Sequence, residues 1–260
     1  MRSILVLADR KPESEMRLQG ALSLARANRG HLTVLVDTPI ARYLVTDAMG
    51  SGYLAADVVR EAVASDDAYA ETLHKRLQNE DVPYDVLRAE DDPANALAEA
   101  ARLSDVIVLS RDLPYVDEVV LGGGTPVLVV PEDRPLTVPF DCVCVAWDGG
   151  DEAGAALRLA LPILSQAVQI HVLNVAARAE SFPVCDAVKY LARHDIKAEV
   201  VEVARSGSIE GTLAVEVARL GADLLVMGAY GHSRLREFLV GGVTRHFLEK
   251  EKKLALLLAH

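Results

Sequence analysis

The sequence predicts an α/β protein made of two tandem open parallel-sheet domains with helices on both faces. Three observations predict it. Short β-branched runs alternate with Ala/Leu-rich segments of helical period, the pattern of βα units around a parallel sheet. The order of these segments in the first half recurs in the second. A proline-rich joint from Pro131 to Pro139 separates the two, placing the boundary near 135 and the domains at 1–135 and 136–260.

In the first copy, Ile4 to Asp9 reads as a buried strand ending in an acid, followed by an amphipathic helix from Glu13 to Asn28 with Gly30 as its stop. Leu32 to Val36 is a second strand. The stretch from Thr38 to Tyr53 has no clear period, and Val59, Val63, Leu73 and Leu77 mark a long helix from about Ala55 to Gln78. Tyr84 to Leu87 reads as an edge strand. Asp92-Pro93 starts the next helix, because an acid at the cap accepts free backbone N–H groups and proline suits the first turn. That helix ends near Leu103, before strands at Asp105–Leu109 and Pro126–Val130.

The second copy repeats the order. Strands are expected at Cys142–Asp148, Gln169–Val175, Lys197–Val203, Asp223–Met227 and Leu254–Leu258, with helices near Glu152–Gln166, Asp186–His194 and Ser208–Leu220. The copies differ at the loops beyond the carboxyl ends of the strands, where open α/β sheets bind ligands. From Ser110 to Pro126 is 16 positions and from Gly228 to Leu254 is 26, so the first copy lacks loop and helix there.

Composition narrows the function. With 51% hydrophobic residues and no apolar run of about 18 residues, the chain reads as soluble rather than membrane-spanning. A formal charge of −11 repels phosphate backbones and anionic membranes, and 5% aromatic residues offer little base stacking. Nucleic acid and membrane are therefore not expected as partners. Met1 to Ile4 runs directly into a strand without a leader pattern, so a cytoplasmic location is expected. Cys142, Cys144 and Cys185 lack zinc-type spacing and read as reduced thiols, and no metal site of protein ligands emerges from the scattered histidines.

The chemistry concentrates in one loop. After the strand comes Met227-Gly228-Ala229-Tyr230-Gly231, then nine residues from His232 to Val240, then Gly241-Gly242-Val243-Thr244. Glycines let the backbone approach a ligand closely, and their N–H groups with a following helix start direct positive dipoles at phosphate oxygens. Neither the Walker pattern nor G-x-G-x-x-G is present. On spacing alone the loop is either a phosphate cradle or a structural glycine turn. Asp148, in Trp147-Asp148-Gly149-Gly150, is a helix cap or Asx turn, a ligand contact, or both. Arg234, Arg236, Arg245 and His232 lie in or after the loop, with solvated surface side chains as the default.

Gly228-x2-Gly231-x9-Gly241 after a strand, with a first strand ending in Asp148, resembles the universal stress protein family over the whole chain as a tandem pair. The resemblance implies an adenine nucleotide alpha-hydrolase-like, Rossmann-like fold and an adenine nucleotide, ATP or its breakdown products ADP or AMP, in the second domain. Carried over by position, Asp148 meets the adenine and ribose end, Val175 lines the base pocket, and Met227, Gly228, Gly231, Gly241, Gly242, Val243 and Thr244 surround the phosphates. Mg²⁺ would ride on the phosphates. Gly242 departs from the family pattern, which has Ser or Thr directly after the third glycine, so one hydroxyl contact is lost while Thr244 keeps the second. In the first copy Asp9 is present, yet Ser110-Arg111-Asp112 replaces the first glycine, and Gly122-Gly123-Gly124 lacks a partner glycine. That copy is expected not to bind.

The implied role is a stress-response regulator or sensor, its halves packed as an intramolecular pseudo-dimer and two chains able to pair again as a homodimer. A slow ATPase or adenylate-transferring enzyme, and a nucleotide-free interaction module, stand as alternatives. The loop shows no committed lysine and no evident base, so fast turnover is not expected.

Overall fold

Ten strands form one continuous sheet in the computed structural model, which describes residues 1–38, 44–46, 52–54, 56–176, 182–231 and 242–260. In the first half, β1 (Ser3–Ala8), β2 (His31–Asp37), β5 (Tyr84–Ala89), β6 (Val106–Leu109) and β7 (Val127–Val129) run parallel. In the second, β8 (Cys142–Ala146), β9 (Gln169–Ala176), β10 (Glu199–Ala204), β11 (Leu224–Gly228) and β12 (Ala255–Ala259) repeat the same arrangement. The sheet order is β10-β9-β8-β11-β12-β7-β6-β1-β2-β5. Each half places its first strand at its centre, and the halves meet edge to edge through their last strands.

That meeting is antiparallel, pairing Leu256 with Val129, Leu257 with Leu128 and Leu258 with Val127. All six side chains are fully buried. The strands are near-continuous hydrophobic runs because both faces of the sheet are covered by helices. One face carries α1 (Glu13–Asn28), α2 (Ala56–Leu77), α5 (Asp151–Leu164) and α6 (Val184–Ala192). The other carries α3 (Pro93–Ala100), α4 (Val116–Gly122), α7 (Ile209–Leu220) and α8 (Gly242–Lys250). Each hydrophobic cluster draws on both halves, so the two repeats share their cores across the seam.

Local signals read from the sequence act as expected at several helix ends. Asp92 Oδ1 accepts from Ala94 N–H at 3.0 Å with Pro93 in the first turn, and Ser208 Oγ accepts from Gly211 N–H at 3.1 Å. The stop of α1 differs in detail. Arg29, not Gly30, takes the left-handed conformation at φ 50°, while a side chain on Gly30 would meet the Arg2 carbonyl at 2.8 Å. Three elements had no sequence signal: the hairpin of β3 (Leu44–Thr46) and β4 (Gly52–Leu54), and the short helix α4 ahead of the triple glycine. β5 is an edge strand as read, and β10 forms the opposite edge. Among the described residues, no helix is long and apolar enough to cross a membrane.

Trp147, the single tryptophan, reports on the second half. Because the cores are shared, urea unfolding followed by Trp147 fluorescence and by far-ultraviolet circular dichroism is expected to give coincident transitions. Leu128→Ala, in the first half, should destabilise the Trp147-reported transition by about 2–5 kcal/mol.

Candidate functional site

β9, β8 and β11 are neighbours, so their carboxyl ends lie side by side. The register pairs Ala146 with Leu173 and Val145 with Val226, which brings Asp148, Val175 and Gly228 to the same end of the sheet. The chain leaves β8 through Trp147, whose N–H donates to the Leu173 carbonyl at 2.8 Å, and Asn174 Nδ2 donates to the Trp147 carbonyl at 3.1 Å. Asp148 is exposed at the top of the strand, and its Oδ1 accepts from Gly150 N–H at 2.9 Å in an Asx turn. Gly149 sits at φ 77°, a left-handed conformation that a side chain would strain. The turn leads directly into α5.

Alternation along β11 decides what its glycines do. Leu224 and Val226 point to the face of α5, Leu225 and Met227 to the opposite face, and Gly228 again toward α5. A Cβ on Gly228 would lie 2.6 Å from Ala153 N, so α5 packs directly on the backbone there. A Cβ on Gly231 would lie 2.3 Å from Glu152 Oε2. The glycines thus let the first turn of α5, with its exposed N–H groups, come against the loop. They also admit the Glu152 carboxylate, which rests against Gly231.

The nine residues singled out from the sequence are distributed as follows. Asp148, Val175, Gly228 and Gly231 gather around the ends of β8, β9 and β11, Val175 half-buried. Met227 is 3% exposed and packs into the core beneath the loop with Phe247 and Leu258. Gly242, Val243 and Thr244 form the first turn of α8, with Gly242 exposed and Thr244 buried. A side chain on Gly242 would meet nothing within 4 Å. Gly241, His232, Arg234 and Arg236 lie outside the described residues. Arg245 binds Glu249 through its Nε at 2.7 Å.

Tyr230 was not singled out. It lies between the glycines at φ 65°, in the left-handed region that a bulky side chain rarely adopts. Its side chain is buried, and its hydroxyl donates to Asp117 Oδ1 on α4 of the first half. Burial, and next the Asp117 carboxylate, pushes its ionisation far up. Glu152 was likewise missed, since on sequence it is an ordinary first-turn acid of a helix.

The equivalent place in the first half is filled from within. Ser110 stands at the end of β6 where β11 has Gly228, and its side chain meets Arg17 of α1. Arg17 is 0% exposed. Its Nε donates to the Leu7 carbonyl at 3.0 Å, Nη1 donates to Ser110 Oγ at 2.5 Å, and Nη2 pairs with Asp9 Oδ1 at 2.8 Å. Asp112 Oδ1 lies 3.6 Å from Nη1 and accepts from Ser110 Oγ. A guanidinium and two carboxylates thus occupy the strand ends that in the second half lie against α5 and Glu152. A cleft of about 830 Å³ does open between the halves, bounded by Glu13, Asp112, Asp117, Arg245 and Lys252. None of the nine residues lines it, and acids outnumber cations along its wall, where Lys252 pairs with Glu132 at 3.0 Å.

Gly228→Ala is expected to lower stability by about 1–3 kcal/mol, because α5 must retreat from the new methyl group. Gly242→Ala, which enters open space, should leave the thermal midpoint unchanged or slightly raised, and thermal denaturation compares the two.

Residues 186–253 match the model of the universal stress protein family. No curated protein matches the sequence. Among solved structures, the chain is similar to a universal stress protein from Archaeoglobus fulgidus DSM 4304, with 15% identity, 98% of this chain and 97% of that chain covered, and a TM-score of 0.76. It is also similar to a putative universal stress protein from Pseudomonas aeruginosa UCBPP-PA14, with 18% identity, 100% and 93% covered, and a TM-score of 0.62. Residues 186–253 are thus similar to the universal stress protein family, and the fold along the whole chain is that of the universal stress proteins it resembles.

Proposed function

We propose that the second half, residues 136–260, binds one adenine nucleotide and that the chain acts as a nucleotide-dependent regulator. The observation that carries this reading is the contrast between the two sets of strand ends. Around Asp148, Val175 and Gly228 the glycines carry no side chain and the N-terminus of α5 packs on their backbone, with Glu152 beside Gly231, whereas Arg17, Asp9 and Asp112 fill the same place in residues 1–135. One nucleotide per chain follows. In this reading Asp148 takes the ribose hydroxyls, Val175 packs on the base, and the N–H groups of Tyr230 and Gly231 and those at the start of α8 receive the phosphates. Occupancy would alter the surface that the chain presents to a second copy in a homodimer or to another protein.

Glu152 adds an electrostatic condition. A carboxylate in the cradle repels a free polyphosphate, and a divalent cation riding on the phosphates removes that repulsion. ATP is therefore held with Mg²⁺, and Glu152 is the side chain placed to meet the cation.

Titration calorimetry with ATP, ADP and AMP in the presence of Mg²⁺ should give one site per chain. Asp148→Ala should weaken ATP binding by about 1.5–3 kcal/mol, the range of a hydrogen bond to a charged acceptor. No heat at millimolar nucleotide overturns the reading. In chelator, Glu152→Gln should bind ATP about three- to tenfold more tightly than the wild type, since it removes a like charge near the phosphates.

A further inference from the structure

The first half is shorter than the second beyond the end of β6, and two residues there, Arg111 and Asp117, reach across the seam. Arg111 follows Ser110 at the end of β6. Its guanidinium donates to the Val130 carbonyl at 2.8 Å, to the Glu251 carbonyl at 3.1 Å and to the Leu254 carbonyl. The last two belong to the turn by which the chain leaves α8. Burial lowers its ionisation to about 10, with Glu132 and Glu251 opposing. Asp117 lies in the first turn of α4, and its carboxylate accepts the Tyr230 hydroxyl at the entry to the glycine loop.

The two contacts fall on opposite ends of one segment. Tyr230 is two residues past the end of β11, and Glu251 immediately follows α8. Tyr230 also holds a left-handed backbone, which costs about 1–2 kcal/mol for a residue with a side chain and persists only where surroundings fix it. Here the fixing groups are its buried ring, Asp117, and the Ala229 N–H to Ala259 carbonyl bond at 2.8 Å.

We infer that the first half serves as a positioning partner for the second half's phosphate loop, with Asp117 holding its entry through Tyr230 and Arg111 holding the exit of α8. The inference rests on the nucleotide reading above. It assigns a role to the half whose own strand ends are filled, and it makes the nucleotide site a property of both halves.

The test uses the full chain and two readouts. Without nucleotide, amide deuterium exchange in the peptide covering 226–231 should rise in Tyr230→Phe and in Asp117→Ala, and by no more in the double variant than in either single one. Exchange in 251–258 should rise in Arg111→Ala and recover in part in Arg111→Lys, which restores one of the donors. With Mg²⁺-ATP, Tyr230→Phe and Asp117→Ala should each weaken binding about three- to tenfold, again without additivity. Unchanged exchange in 226–231, or unchanged ATP affinity in both variants while Asp148→Ala weakens it, overturns the inference and leaves the nucleotide reading standing. Wild-type protein that takes up no ATP overturns the reading itself, whatever the exchange shows.

Discussion

The antiparallel pairing of β7 with β12 is the constraint on which the rest of the molecule depends. Parallel five-stranded sheets leave a hydrophobic edge at their last strand, and an open edge of this kind invites pairing with other chains. Joining Val127, Leu128 and Val129 to Leu258, Leu257 and Leu256 closes both edges at once. It also turns the halves about a pseudo-two-fold axis, so that α4 of one half and the glycine loop of the other come together. The Tyr230–Asp117 and Arg111 contacts exist because of that seam.

Within this symmetric frame the two copies have diverged at one register position. Where Gly228 has no side chain, α5 approaches and its first turn faces the loop. Where Ser110 has one, the space is taken by a hydroxyl and a fully buried guanidinium balanced by two carboxylates. A buried cation stays in place only when its partners do, and losing one typically costs about 3–5 kcal/mol. The filled site is thus a structural core of the first half, while in the second half α5 and Glu152 pack against the glycine backbone.

Much of the arrangement was legible in the sequence because it is local. Short β-branched hydrophobic runs marked the strands, the cap at Asp92 marked a helix start, and the recurrence of the segment order pointed to the duplication. Asp148, Val175 and Gly228 were grouped by the family resemblance, and the parallel order of β8, β9 and β11 brings their strand ends together. What was not legible is non-local. The runs at Pro126–Val130 and Leu254–Leu258 read as strands of separate domains, and nothing in either says that it pairs with the other. Arg17 looked like one more charge on a helix, Tyr230 like filler between glycines, and Glu152 like a helix-start acid. Their meaning comes from partners 90 or more residues away for Arg17 and Tyr230, and from the close packing of α5 for Glu152.

The central claim is that a single adenine nucleotide sits over the ends of β8, β9 and β11 and not over the matching ends in the first half. Photolabelling the full chain with 8-azido-ATP and Mg²⁺, followed by mass mapping of the peptides, tests it most directly. The account predicts label in peptides around Asp148 and Val175, suppressed by excess ATP. Competable label in peptides around Asp9, Arg17 or Ser110, or none in the second half, would contradict it.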